Sequence, residues 1–248
     1  MFCYAHFLFA EFCKLRHQIK CFVTLIELEE NETKDLFVKV LQKLPIIKQK
    51  ELLRYHDIAD TRRSLVGYCQ TQLTIADMTG LPLSNIIFSK KQFGKPYAKD
   101  IEHIDFSISH SQNRTVTVAT SKGRIGIDIE FNRPIVFSKI CSFFTILEQS
   151  LIGFPSDISA EKFYKLWTLK ESYLKYEGKG FQIPITDIEF QSIDDLVRYY
   201  SRQNQQLYFN HVDIGNDYTA SLCTDFHEDS ITIKHIKESL LYENYINT

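Results

Sequence analysis

The six cysteines of this 248-residue chain, Cys3, Cys13, Cys21, Cys69, Cys141 and Cys223, are scattered and include no Cys-x-x-Cys pair. Neither a zinc site nor a disulfide framework is therefore expected, and reduced thiols fit a cytoplasmic setting. Charge of one sign is also lacking. The formal net charge is −2, which argues against a general nucleic-acid binder but leaves room for a local basic patch around an anionic ligand. No apolar run is long enough to span a bilayer. The stretch Met1 to Ala10 lacks a basic preface and is interrupted by His6, with Glu11 following, so it reads as an extension and not a signal. Low-complexity tracts and internal sequence repeats are missing too. What the chain does have is 44% hydrophobic residues, enough at this length to bury one large core or two modest ones.

From Cys21 to Leu28 the residues are β-branched and aromatic, predicting a first strand. Asn31-Glu32-Thr33 then offers a cap for a helix carrying Leu36, Phe37, Val40, Leu41 and Leu44, which stops at Pro45. A helical region over 46–79 carries Lys48, Lys50, Arg54, Arg62 and Arg63, single cations that on a helix are ordinarily solubilising. Gly94-Lys95-Pro96 marks a turn. Phe106 to Ser111 alternates as a strand, so Ser109 and His110 point opposite ways and do not form a nucleophile and base pair of the hydrolase kind. Thr115 to Thr120, a turn at Ser121 to Arg124, and the strand Ile125 to Glu130 together predict an antiparallel hairpin. The segment to Glu161 has a helix over 143–152 and a break at Gly153-Phe154-Pro155, and reads as surface near a cleft. Short strands are expected at 188–190, 206–213 and 218–224, the last two joined at Gly215-Asn216-Asp217.

Two stretches carry chemistry. In Ile125-Gly126-Ile127-Asp128-Ile129-Glu130, the isoleucines share one face while Asp128 and Glu130 share the other, from Cα atoms roughly 6.6 Å apart. Two such carboxylates repel unless a cation joins them, and hard oxygen donors suit Mg2+ or Mn2+. In the helix from Phe163 to Lys175, Glu171 and Lys175 stand one turn apart at the border of a stripe formed by Phe163, Leu166, Trp167 and Leu174, with Lys170 inside it. A cation held by Asp128, Glu130 and Glu171, with Lys175 beside it, would receive a polyphosphate. Taken singly, alternating acids are commonly a solvated strand face, and a Glu-to-Lys spacing of four is commonly a surface ion pair.

Four ordered motifs change those odds: Gly94-Lys95-Pro96; Ile108-Ser109-His110-Ser111; Gly126-Ile127-Asp128-Ile129-Glu130; and Trp167-x-x-Lys170-Glu171-x-x-x-Lys175-x-x-Gly178-x-Gly180. In order and spacing they resemble the 4′-phosphopantetheinyl transferases of the larger, surfactin-synthetase-activating type, over roughly residues 20 to 225. The resemblance implies an α/β (α+β) fold that is a pseudo-dimer of two similar lobes, each a small, mainly antiparallel sheet packed with helices, with the active site at the lobe interface. Residues 1–19 are then an N-terminal extension, residues 20–125 the lobe that binds the nucleotide of coenzyme A, and residues 126–248 the lobe with metal and catalytic residues.

The implied activity is transfer of 4′-phosphopantetheine from coenzyme A to a serine of an acyl or peptidyl carrier protein, with Mg2+ and release of adenosine 3′,5′-bisphosphate. The implied metal ligands are Asp128, Glu130 and Glu171. Lys48, Arg63 and Ser64 are the expected clamp on the coenzyme's 3′-phosphate, where the family's second lysine is replaced by Glu51 and Lys50 is a candidate substitute. Lys95 and Pro96 border the adenine end, Ser109 and His110 contact phosphates, and Lys175 holds a phosphate oxygen. Glu171 is the family's base for the serine proton; a metal-bound carboxylate is a weaker base, so Glu130 or a water at the metal stands as an alternative. An internal pseudo-dimer implies a monomer, with neither nucleic acid nor membrane as partner. Two rival functions share these residues: a metal-dependent nucleotide phosphohydrolase, and a non-catalytic carrier-binding module.

Overall fold

In a computed structural model, residues 21–29, 33–136, 140–154, 157–193, 196–200, 206–227 and 231–248 are described. The expected extension at 1–19, and Asn31 and Glu32 of the expected cap, lie outside them. Strand β1 (Cys21–Glu27) is buried along most of its length because it sits inside a four-stranded sheet. Helix α1 (Lys34–Lys43) ends ahead of Pro45 as expected. Thr33 stands at its cap position, but its hydroxyl accepts from Arg62 at 3.2 Å and makes no capping bond. The helical region expected over 46–79 is split into α2 (Ile46–Leu52) and α3 (Ile58–Thr79). Asp57 restarts the helix by accepting from the Ala59 N–H at 2.8 Å, and Gly80 closes it at φ 75°.

The Gly94 turn joins two short strands, β2 (Phe88–Lys90) and β3 (Pro96–Ala98). Strands β4 (Asp105–Ser111) and β5 (Arg114–Thr120) then form an antiparallel hairpin. The hairpin expected between β5 and the next strand, β6 (Ile125–Phe131), does not form. Both edges of β5 are already taken, by β1 and β4, so the chain leaves the first sheet at Arg124 and β6 begins a second one.

In the second lobe, α4 (Ile146–Leu151) opens with a capping box between Thr145 and Glu148, and α5 (Ala160–Glu177) runs from the Ser159 cap to Gly178 at φ 69°. The sheet is completed by β7 (Leu196–Tyr200), β8 (Gln206–Val212) and β9 (Tyr218–Thr224), in the order β6-β9-β8-β7 and wholly antiparallel. The expected turn at Gly215 to Asp217 joins β8 to β9, with Gly215 at φ 95°. No strand forms at 188–190. Lys170 donates to the carbonyls of Ile185 and Ile188, and Glu148 accepts from the Phe190 N–H at 3.0 Å, so a buried ion pair satisfies the backbone that a partner strand would otherwise satisfy. The segment read as surface near a cleft thus contributes a fully buried carboxylate, Glu148.

The last elements, β10 (Ile233–Lys237) and α6 (Glu238–Asn247), return to the first lobe. β10 pairs parallel with β1, giving the sheet order β10-β1-β5-β4, while Leu241, Tyr242 and Tyr245 join the core of Ile26, Val40, Leu52 and Leu65. Arg62 and the buried Glu238 carboxylate pin the start of α6. The tail therefore packs on the first lobe, where a division at residue 125 had assigned it to the second. Two four-stranded sheets and a two-stranded one, packed with six helices among the described residues, make up the mixed α/β, two-lobed architecture.

Candidate active site

The site is built where the edge strand of one sheet meets the edge strand of the other. Along β4, alternate side chains face β6 and accept from its backbone. Asp105 Oδ2 takes the Ile125 N–H at 2.8 Å, and the hydroxyls of Ser107, Ser109 and Ser111 take those of Ile127, Ile129 and Phe131 at 3.2, 3.3 and 3.0 Å. Each bond spans 20 residues of sequence, so the two strands run in a fixed parallel register, with side-chain oxygens in place of strand carbonyls. At about 0.5–1.5 kcal/mol net each, such bonds add modest stability but set the register strongly, because a shift would leave buried N–H groups without acceptors.

The two faces of β6 divide as its alternation predicts. Ile125, Ile127 and Ile129 enter a core shared with Val23, Val116 and Val118 of the first sheet. Gly126, Asp128 and Glu130 face α5. The helix lies so close that a Cβ on Gly126 would sit 2.1 Å from the Ser172 carbonyl oxygen, which is why that position has no side chain.

Asp128 is nearly enclosed. Its Oδ1 accepts from Lys175 Nζ at 2.6 Å and from the Ser109 hydroxyl at 2.9 Å, while Oδ2 is buried without a partner. Glu130 is held by the Ser111 hydroxyl at 3.1 Å. Its carboxyl is pushed up by burial and then by Asp128, against the pull of Ser111, Lys175 and Trp167. Glu171 is pushed up to about 7, first by burial and then by the Asp128 charge, with Lys175 opposing and Glu130 adding.

The three carboxylates therefore share one electrostatic field. They are not drawn together into a ligand set, however: among the described residues, no three His, Cys, Asp or Glu side chains stand ready to hold a metal ion. Lone carboxylates repel, and the Lys175 ammonium has taken the side of Asp128 that faces it. The donor set still fits a hard divalent cation. All three groups offer oxygen, one buried oxygen is orphaned, and the raised affinity of Glu130 and Glu171 for protons is the relief a cation would supply.

Beside these groups lies a cavity of about 250 Å³ whose walls include Gly94, Lys95 and Pro96, Ile108 of β4, and Glu171 and Lys175 of α5. Of the expected coenzyme-binding residues, Lys95, Pro96 and Lys175 line it, while Lys48, Arg63, Ser64, Ser109 and His110 do not. The Lys95 ammonium, however, is turned inward to Asp105 at 2.8 Å. Ser109 uses its whole hydroxyl inside the protein, donating to Asp128 and accepting from Lys175 and the Ile129 N–H. It acts as a joint for the two charged groups and has no capacity left for a ligand.

His110 stands exposed on the opposite face of β4, as the alternation predicts. Its imidazole is held below the ordinary value by desolvation and then by Arg63 and Lys175, with Asp60 opposing. Arg63 donates to the Gln112 carbonyl at 2.8 Å and to Asp60. Lys48 lies over the Tyr68 ring and reaches Glu51 at 3.2 Å. Glu51 also takes Lys90 of β2 at 3.0 Å, which brings a second cation to the carboxylate that Lys48 reaches. Ser64 is half-buried on α3 next to Arg63. Sequence reasoning missed Asp105, Ser107 and Ser111. The signal for them was the same period-two alternation already visible at Ser109.

Residues 28–122 match the family model described as 4′-phosphopantetheinyl transferase, N-terminal, and residues 124–223 match the 4′-phosphopantetheinyl transferase superfamily. The two matches meet where the chain crosses from β5 to β6. The chain is 32% identical over 199 residues to 4′-phosphopantetheinyl transferase Sfp of Bacillus subtilis (strain 168), covering 78% of this chain and 88% of that one. It is 32% identical over 181 residues to 4′-phosphopantetheinyl transferase gsp of Aneurinibacillus migulanus, covering 72% and 75%. To the L-aminoadipate-semialdehyde dehydrogenase-phosphopantetheinyl transferase of Rattus norvegicus it is 28% identical over 145 residues, covering 53% and 47%. The chain belongs to the 4′-phosphopantetheinyl transferase superfamily. Among the described residues, no helix is long and apolar enough to cross a membrane.

Proposed function

We propose that this protein transfers 4′-phosphopantetheine from coenzyme A to a serine hydroxyl of an acyl or peptidyl carrier protein and releases adenosine 3′,5′-bisphosphate. The observation that carries the reading is the orphaned, buried Oδ2 of Asp128, whose charge helps to raise the carboxyls of Glu130 and Glu171, beside a cavity lined by Glu171 and Lys175. The residues that would hold Mg2+ or Mn2+ are Asp128, Glu130 and Glu171; when bound, the cation neutralises charge on the pyrophosphate.

The chain's own groups divide the remaining work. Lys175, on the cavity wall, pairs with a phosphate oxygen as negative charge builds on the leaving nucleotide. The serine oxygen attacks the β-phosphorus, the bond to the bridging oxygen breaks, and the serine proton passes to a base. Glu171 is pushed up to about 7 without a cation; a cation on it would lower its affinity for the proton, so Glu130 or a water at the cation stands beside Glu171 as the acceptor. Lys48, Arg63, Ser64 and His110 offer a polar, largely cationic side to the nucleotide's phosphates, while Pro96 and the Lys95 stem form the wall beside it.

Mass spectrometry of several apo carrier proteins, exposed to this protein with coenzyme A and Mg2+, tests the reading. A gain of one phosphopantetheine on a serine is expected. Release of nucleotide from coenzyme A without a carrier would favour a phosphohydrolase, and no mass gain on any carrier would favour a non-catalytic binding module.

The cation site has its own test. Glu171 is raised in the fold, so the stability it contributes is present below about pH 4.5 and is lost as pH rises through about 7. Without a divalent cation, this group should make the protein less stable at pH 8 than at pH 5. Mg2+ binds the ionised carboxylates, so it should raise the melting temperature more at pH 8 than at pH 5. Equal shifts at both pH values would place the cation elsewhere.

A further inference from the structure

The Gly94-Lys95-Pro96 turn presents a buried lysine whose ammonium faces away from the cavity it helps to line. Lys95 Nζ donates to Asp105 Oδ2 at 2.8 Å, to the Ile125 carbonyl at 2.9 Å and to the Tyr176 carbonyl at 3.4 Å. An ammonium has three N–H donors, and all three are used. The stem is gripped as well, since a Cβ on Gly178 would lie 2.8 Å from Lys95 Cδ. One side chain thus ties the cavity's turn to the first residues of β4 and β6 and to the last turn of α5. Asp105 completes the tie by also accepting from the Ile125 N–H at 2.8 Å, and Arg124 supports the same helix end by donating to the Tyr176 and Glu177 carbonyls.

Resting on the transferase reading above, we propose that Lys95 is a positioning residue, with Asp105 as its counter-ion. Its charge never meets coenzyme A. It sets the spacing between the Gly94 to Pro96 wall and the α5 face that carries Glu171 and Lys175. The tie works across the seam because its partners belong to both lobes, and a lysine free to bend toward a phosphate would leave the Asp105 carboxylate and two carbonyls buried without it.

Calorimetric binding of coenzyme A and of its 3′-dephospho form, in parallel with carrier modification, separates this role from a direct ligand contact. The variants are Lys95→Met, Asp105→Leu and the pair together. The double variant keeps the test open if either single variant fails to fold, because it leaves no unpaired buried charge. Expected is a loss of affinity of roughly tenfold to a hundredfold for Lys95→Met and for Asp105→Leu alike. The double variant should be no worse than either single one, with the same factor for both coenzymes.

If Asp105→Leu binds as tightly as the parent protein or more tightly, the freed ammonium is a ligand contact and the proposal is overturned. A loss confined to Lys95→Met, or one that shrinks with the dephospho form, overturns it too, as does parent-like binding by the double variant. Parent protein that binds coenzyme A yet modifies no carrier would instead count against the transferase reading, leaving the comparison of affinities intact.

Discussion

Replacing Asp128 with alanine is expected to lower carrier modification by at least about a hundredfold while the protein stays folded. Asp128 sits at the centre of the charged cluster: it anchors Lys175, and its field raises both Glu130 and Glu171. Without it, Lys175 loses its partner, and Glu171 should titrate below about 7 because one of the charges opposing its ionisation is gone.

The fold should tolerate the change, because the bonds from β6 backbone N–H groups to Asp105, Ser107, Ser109 and Ser111 of β4 all remain when the Asp128 carboxylate and its bond from Ser109 are lost. Asp128→Asn, which keeps the shape and the contact with Ser109, should be nearly as inactive, and Glu171→Gln should also abolish modification. Turnover by mass spectrometry and melting temperature by calorimetry measure both parts. Undiminished turnover in Asp128→Ala or Glu171→Gln would remove the cation-site reading.

Lys170→Met is expected to destabilise the protein by about 3–5 kcal/mol, the usual cost of breaking a buried ion pair from one side. Lys170 and Glu148 are both fully buried and meet at 2.7 Å. Glu148 also accepts from the Thr145 and Phe190 N–H groups, and Lys170 donates to the Ile185 and Ile188 carbonyls. Methionine fills the space but leaves a carboxylate without a cation and two carbonyls without that donor.

For a chain of this size the change corresponds to a melting temperature lower by roughly 10 °C. Lys170→Met combined with Glu148→Leu should recover part of the loss, since both buried charges are then gone. Urea unfolding measures the difference, and a cost below about 1 kcal/mol would mean that water reaches the pair. The neighbouring Glu171 lies about 100° around the helix and faces the cavity, so two adjacent residues of one motif serve separate ends.

Local patterns were legible wherever one element carries the whole signal. The isoleucines of β6 lie in the core and its acids on the other face because side chains of a strand alternate regardless of neighbours. α5 ends at Gly178, and β8 turns into β9 at Gly215, because those positions need positive φ. The family's motifs were legible for the same reason: each is short and defined by its own residues.

Patterns failed where a choice depended on what else was nearby. The run from β5 into β6 has the alternation of a hairpin, yet β1 and β4 had already occupied the edges β6 would have used. Ile188 to Phe190 has the composition of a strand, yet Lys170 and Glu148 satisfy that backbone. The tail carries no motif, yet β10 finds an open edge of β1.

The sequence by itself determined which residues carry charge, which faces of strand and helix they share, and which family the chain resembles. Tertiary structure alone decided where those charges go. Lys95, read as a contact for the coenzyme, reaches Tyr176 across 81 positions of sequence, and Ser109 spends its hydroxyl on Asp128 and Lys175. Hydrogen bonds and Coulomb interactions depend on separation in space, which spacing along the chain fixes only within one element. A site assembled from two sheet edges and a helix is therefore visible as a set of residues before folding, and as a set of partners only after it.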